Sequence, residues 1–436
     1  MIITTTASKI KAKLATPVVR NIIWLSFDKV FKLVVGLVVG IWVARYLGPA
    51  QWGEINYVFA FITIISTIDK LGMDSFLVKE ILENPTQKRE ILGTAFLIRI
   101  FLIPFLIGSV VLYFHFLNLG SNAYWLLAFL SFNLITTPFD VIDLDFQSRL
   151  QSKLTVLSKN IAYVVGALIR VYLLVYNKPL LWFAASMGFE VFLSYFLLVI
   201  NYQRKDSMLH WSFSMKLVKK LLTAAWPFTV ASLAIILYMR IDQVMLGSMV
   251  GEKELGLFSS VVKISDIFIF IPMAISSSYL PLLVATRKDG LENFVKKIQF
   301  FMNWMFKISF APALAVTLFS GIIIQQLYGA EYMAASPILV IHIWSLVPIF
   351  LGVASSQYMI IENLQKFGMY RTVIGLIVNV LLNLFLIPKY GAMGAATATT
   401  ISQFTAALFC NLLFKQTRML FYMQIKSFWM IFNFKE

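Results

Sequence analysis

Residues 22–73 read IIWLSFDKVFKLVVGLVVGIWVARYLGPAQWGEINYVFAFITIISTIDKLGM. Two apolar runs, 22–46 and 54–73, flank a connection around Gly48 to Gly53 that is too short to hold a domain. A bilayer crossing takes about 20 apolar residues, so the stretch reads as a membrane hairpin. The same pattern continues at 92–114, 122–142, 155–176, 179–201, 223–247, 256–283, 301–327, 333–360, 370–388 and 393–414, which makes twelve spans. Hydrophobic residues are 59% of the chain and charged residues 13%, against about 25% charged in soluble domains. The runs are long and lack alternation, which excludes a β-barrel.

The Lys and Arg residues orient the spans. The even-numbered connections and the two ends hold clusters such as Lys9, Lys11 and Lys13, Lys216 with Lys219 and Lys220, and Arg287 with Lys288. The odd-numbered connections hold only Arg45, Lys178, Lys253 and Lys389. Cation-rich loops stay cytoplasmic, so a multi-pass inner-membrane protein with both termini cytoplasmic is expected. The net charge of +16 could suggest nucleic acid, but its spread suits anionic headgroups. Membrane lipids, and no nucleic acid, are the expected surroundings.

Several signals are discounted. The basic N-terminal 20 residues precede a full-length span, unlike a cleavable signal peptide. The single Cys410 lies within the last span, so no disulfide or cysteine metal site is expected. His115, His210 and His342 lack metal-ligand spacing. No Gly-rich loop ends in Lys-Ser or Lys-Thr, so ATP hydrolysis and resident cofactors are not expected. Asp143-Leu-Asp145 has the spacing some glycosyltransferases use for a metal and nucleotide sugar, but three-residue matches are common. No catalytic residue is assigned.

The connection 206–222 contains Trp211, Phe213, Met215 and Leu217 among cations and reads as amphipathic. It separates an N-terminal six-helix lobe, 1–205, from a C-terminal one, 223–414. The tail 415–436 reads as a cytoplasmic interfacial segment. Gly48 and Gly53 match Gly251 and Gly256, and Arg99 with Pro104 matches Lys307 with Pro312, at offsets that suggest duplicated lobes.

Charges at bilayer depth face a partner or a cavity. Lys32, Arg99, Arg240, Lys263 and Lys307 are the candidate cavity cations. Asp28, Asp242 and Asp266 are the candidates for charge balance or a coupling ion. Asp28, Lys32, Gly36 and Gly40 recur every four residues and share a helix face. That face is either a packing seam with an internal ion pair or a cavity wall. Arg240 and Asp242 are two apart and need separate partners, whereas Lys263 and Asp266 are three apart and can pair. Arg240 and Lys263 fall at similar depth, where together they could grip a diphosphate. Arg99 and Lys307 lie nearer the cytoplasm, in reach of the interface. Arg170 and Glu190 are expected to pair across the fifth and sixth spans.

The stretch IWVARYLGPAQWG at 41–53 resembles the first outer loop of Wzx-type polysaccharide repeat-unit flippases. Phe27-Asp28-Lys29, Leu71-Gly72-Met73-Asp74, the EILGTA at 90–95, RIDQVMLG at 240–247, YGAEY at 328–332 and PKYGAMGA at 388–395 resemble that family too. It belongs to the multidrug/oligosaccharidyl-lipid/polysaccharide exporter superfamily. The resemblance implies two six-helix lobes around a central cavity and alternating access. The implied cargo is an undecaprenyl-pyrophosphate-linked oligosaccharide for O-antigen (lipopolysaccharide) or capsule assembly. Implied companions are a polysaccharide polymerase and a chain-length regulator, with H⁺ or Na⁺ as coupling ion. Lys32, Arg240, Asp242 and Lys263 are the positions that carry over best. The alternatives are a drug or cation antiporter of the same superfamily, which calls for a net acidic cavity, and a membrane-embedded polymerase or ligase, which calls for a large outer loop.

Overall fold

The computed structural model describes residues 17–430; Lys9, Lys11 and Lys13 lie outside them. The described residues are overwhelmingly helical, with no strand among them. The elements in chain order are α1 (Pro17–Lys70), α2 (Asp74–Glu83) and α3 (Lys88–Phe116); α4 (Ser121–Ser148); α5 (Ser152–Val175), α6 (Leu180–Gln203), α7 (Met215–Met249), α8 (Glu252–Lys288) and α9 (Leu291–Leu327); α10 (Ala335–Ile361) and α11 (Gln365–Leu413); and α12 (Arg418–Trp429).

All but α2 and α12 are long and apolar enough to cross a membrane, which makes ten candidates. Two of them are double length: 47 residues over Trp24–Lys70 and 49 over Gln365–Leu413. Each breaks at a glycine outside the helical region, Gly48 at φ 72° and Gly391 at φ 55°. A positive φ is open to glycine at little cost, and Pro49 favours a non-helical residue before it. Each long helix therefore turns and makes two passes, and the ten candidates make the twelve spans expected. Phe105, Leu318 and Phe385 are over two-thirds exposed, as residues with a lipid neighbour would be. Pro104 and Pro312 sit inside the continuous helices α3 and α9.

The chain forms two compact units. The first comprises the chain through Val43 together with Phe61–Leu233; the second comprises Ala44–Ala60 and the chain from Ala234 onward. The hairpin tip at Gly48 thus belongs with the second unit. There Gly53 and Gly256 make one close crossing. A Cβ on Gly53 would overlap the Glu252 carbonyl, and a Cβ on Gly256 would overlap the Pro49 carbonyl. The shared glycine spacing read from the sequence is, in the structure, a contact between the two loops.

The connection before α7 clasps the first unit. Trp211 Nε1 donates to the Tyr202 hydroxyl at 3.0 Å, and the Ser214 amide donates to Thr94 Oγ1 at 3.1 Å. Leu209 and Met215 point outward, as an amphipathic segment requires. Helix α12 is docked rather than loose: Gln424 is buried and donates to Ser355 Oγ at 2.6 Å while accepting from Asn411 at 3.0 Å.

Candidate functional site

In the second unit, Asp242 on α7 is 4% exposed. One carboxylate oxygen accepts from Asn383 Nδ2 at 2.7 Å and the other from the Thr399 hydroxyl. Asn383 also donates to Asn379 Oδ1 at 3.1 Å, and Asn379 reaches Ser402 Oγ at 3.4 Å. Asn383 Oδ1 is buried and meets no donor. A buried carboxylate is thus held by neutral amides and a hydroxyl. Helix periodicity places Asn379 and Asn383 on one face of α11, and the Gly391 break brings Thr399 back beside them. Such oxygens suit a hard cation or a proton.

Arg240, two residues earlier, faces elsewhere. It and Lys263 of α8 are both within electrostatic reach of Asp266. Lys263 Nζ also lies 5.1 Å from the centroid of the Trp52 ring, a cation–π distance. Asp266 itself is exposed. Two cations around one acid leave a local positive charge. Lys307 lies part-exposed on α9.

In the first unit, Lys32 pairs with Asp28 at 2.7 Å on its own helix. Tyr163 of α5 donates to the Lys32 carbonyl at 3.0 Å, and its hydroxyl fills the space beside Gly36. The stripe of every fourth residue therefore packs on α5, and Lys32 keeps 30% of its side chain exposed. Arg99 has no exposed surface. Its Nη2 donates to Asp74 at 2.8 Å and to the Lys70 carbonyl at 3.3 Å. In this conformation Arg99 is a buried structural pair rather than a snorkelling cation or a surface for cargo. Arg170 and Glu190 form the expected pair across α5 and α6.

A charged assembly in the first unit joins residues far apart in the sequence. Lys70 meets Asp140 at 3.0 Å, Lys159 meets Asp143 at 3.0 Å, and Tyr195 donates to Asp140 at 2.7 Å. Lys70, Asp140, Asp143 and Lys159 line a cavity of about 460 Å³. Nearby in the chain, Asp145 meets Arg149 at 2.7 Å and Lys88 at 3.5 Å, and Lys88 also meets Asp206 at 2.6 Å. Asp143 and Asp145 thus point to different cations, as residues two apart on a helix must. They do not form a paired metal-binding motif. Lys88 looks like a loop cation in the sequence because its acids, Asp145 and Asp206, lie far along the chain. The Asp242 nest had a readable signal: two asparagines four apart, Asn379 and Asn383, in an otherwise apolar run.

The model of the family described as "Polysaccharide biosynthesis protein" matches residues 18–287, and the MatE model matches residues 227–385. The capsular polysaccharide biosynthesis protein CapF of Staphylococcus aureus is 26% identical over 201 residues, 46% of this chain and 51% of its own length. The chain therefore spans about half the length of that relative. Agl15, a probable low-salt glycan biosynthesis flippase of Haloferax volcanii, is 22% identical over 367 residues, 82% of this chain and 75% of its own. Among solved structures, the lipid II flippase MurJ in an inward closed conformation has a TM-score of 0.71 at 15% identity, covering 95% of this chain and 94% of that one. An inward-facing MATE multidrug transporter has a TM-score of 0.71 at 16% identity, covering 93% and 99%. At such identity the structural likeness is one of fold.

Proposed function

The chain belongs to the polysaccharide biosynthesis protein family of the multidrug/oligosaccharidyl-lipid/polysaccharide exporter superfamily, and from that premise we propose that it is a flippase for lipid-linked oligosaccharide. It carries its cargo from the cytoplasmic to the outer leaflet of the inner membrane by alternating access, makes no covalent bond, and has both termini in the cytoplasm. The cargo's charged end is a pyrophosphate on undecaprenol.

The observation that carries the cargo chemistry is the group of Arg240, Lys263 and Asp266. A pyrophosphate leaving water needs charge-assisted donors, each worth about 1.5–3 kcal/mol. Two cations supply them, and the acid between them keeps binding reversible. The net positive group favours this reading over a drug or cation antiporter, whose cargo calls for net negative charge. Short connections such as the one at Gly48 leave no room for a polymerase's outer domain.

The coupling ion, Na⁺ or H⁺, is a second cargo and is assigned to Asp242. Asn379, Asn383 and Thr399 would share it through oxygen, and the idle Asn383 Oδ1 is the acceptor such an ion would use. A polymerase and a chain-length regulator would act on the product in the outer leaflet.

The test is export in intact cells at matched membrane levels of each variant. Arg240→Ala or Lys263→Ala is expected to reduce surface polysaccharide and to accumulate lipid-linked oligosaccharide in the cytoplasmic leaflet. Lys263→Arg is expected to retain more export than Lys263→Ala. Normal export by both folded alanine variants would refute the cargo assignment.

A further inference from the structure

Asp69 lies at the end of α1 in the first unit, just before Leu71 and Gly72, both at positive φ. It has no exposed surface. Neither of its carboxylate oxygens meets a hydrogen-bond donor. Lys70 on α1, Arg99 on α3 and Asp140 on α4 lie within electrostatic reach of Asp69, and they are joined in turn by Asp74 on α2, Asp143 on α4, Lys159 on α5 and Tyr195 on α6. Helix α7 packs here through Phe228 and Thr229, which carry no charge.

The cations are already matched. Lys70 holds Asp140 at 3.0 Å, Lys159 holds Asp143 at 3.0 Å, and Arg99 holds Asp74 at 2.8 Å. Three cations against four acids leave one negative charge over, and Asp69 is the acid without a contact. An unpaired carboxylate away from water neutralises rather than stay charged.

We propose that Asp69 is a proton-binding site whose occupancy decides where Arg99 pairs. In this conformation the carboxyl holds a proton. On release the O–H bond breaks, the electron pair stays on Asp69, and the proton passes to water in the 460 Å³ cavity beside Lys70 and Asp140. Arg99 is built to answer. Its Nε and Nη1 are buried and have no acceptor, so an ionised Asp69 draws the guanidinium off Asp74 and further onto α1, where Nη2 already meets the Lys70 carbonyl. Asp74 can be given up cheaply, because 43% of its side chain already faces solvent. Low pH favours the Arg99–Asp74 pairing, and rising pH favours Arg99–Asp69. This site is separate from the Asp242 nest, and the inference stands without the proposed cargo.

Infrared difference spectroscopy on the full chain in lipid nanodiscs tests it. The wild type is expected to lose a protonated-carboxyl C=O band as pH rises. Asp69→Asn should remove that band, Asp69→Glu should shift it, and Asp242→Asn should leave it in place. A dye on Gln147→Cys in a Cys410→Ala background reports the cavity wall. Its fluorescence should change with the same midpoint as the band and stay flat when Asp69→Asn is added. A wild type with no titrating carboxyl band overturns the proposal, as does a band unmoved by Asp69→Asn. If Asp69→Asn does not fold, an unshifted band in Asp69→Glu overturns it equally.

Discussion

Asp242 and Asp266 sit on consecutive helices of one unit, yet their surroundings differ in kind. Asp266 answers two cations, whereas Asp242 is buried among amides and a hydroxyl. The first acid balances charge. The second has oxygen neighbours that an ion can share. A ligand that binds only the folded state stabilises it in proportion to RT ln(1 + [L]/Kd). The purified protein is therefore expected to melt higher in sodium chloride than in choline chloride, or higher as pH falls, according to which ion it carries. Asp242→Asn keeps the shape and loses the charge, so that dependence should vanish. Ion-dependent melting that survives the substitution would move the coupling site elsewhere. Asn379 and Asn383 were legible beforehand as polar residues one turn apart in an apolar run. Their pairing with Asp242 was not, because nothing local connects residues some 140 positions apart.

At the scale of elements, glycines mark the places where helices begin, break and meet. Gly48 and Gly391 break the two double-length helices. Gly53 and Gly256 let two helix starts touch backbone to backbone. Forcing a methyl into such a contact typically costs about 1–3 kcal/mol. Gly53→Ala and Gly256→Ala are each expected to lower the melting temperature. The double variant should cost less than the sum, because one separation of the helices relieves both clashes. Additive losses in a thermal melt of the four proteins would show that the two residues do not share a contact. The spacing of these glycines was readable in sequence as an internal match. That the matched loops touch each other was not, since periodicity reports likeness and says nothing of proximity.

For the whole molecule, the decisive pattern is the alternation of cation-rich and cation-poor connections. It predicts cytoplasmic ends, and reporter fusions check it. Fusions after Lys205, Lys288 and Arg418 should report cytoplasm, and fusions after Gly48, Lys178 and Lys253 the outer side. Reversal at two or more of these sites would defeat the orientation. The division into compact units follows packing rather than chain order. The tip of the first hairpin, Ala44–Ala60, joins the second unit, although hydropathy assigns it to the first half.

The amino-acid sequence by itself determined that the chain spans a membrane and about how many times. Those properties come from the length and polarity of contiguous runs, which the bilayer tests one segment at a time. It also isolated Asp28, Lys32, Arg240, Asp242, Lys263 and Asp266 as charges in apolar surroundings. Tertiary structure decided the partners that lie far along the chain. It gathered Asp69, Asp74, Asp140 and Asp143 from α1, α2 and α4, paired Arg99 with Asp74, closed Asn383 and Thr399 around Asp242, and left Asp69 without a hydrogen-bond partner. A charge's energy depends on what stands within a few ångströms of it, and in a helical bundle those neighbours come from distant parts of the chain.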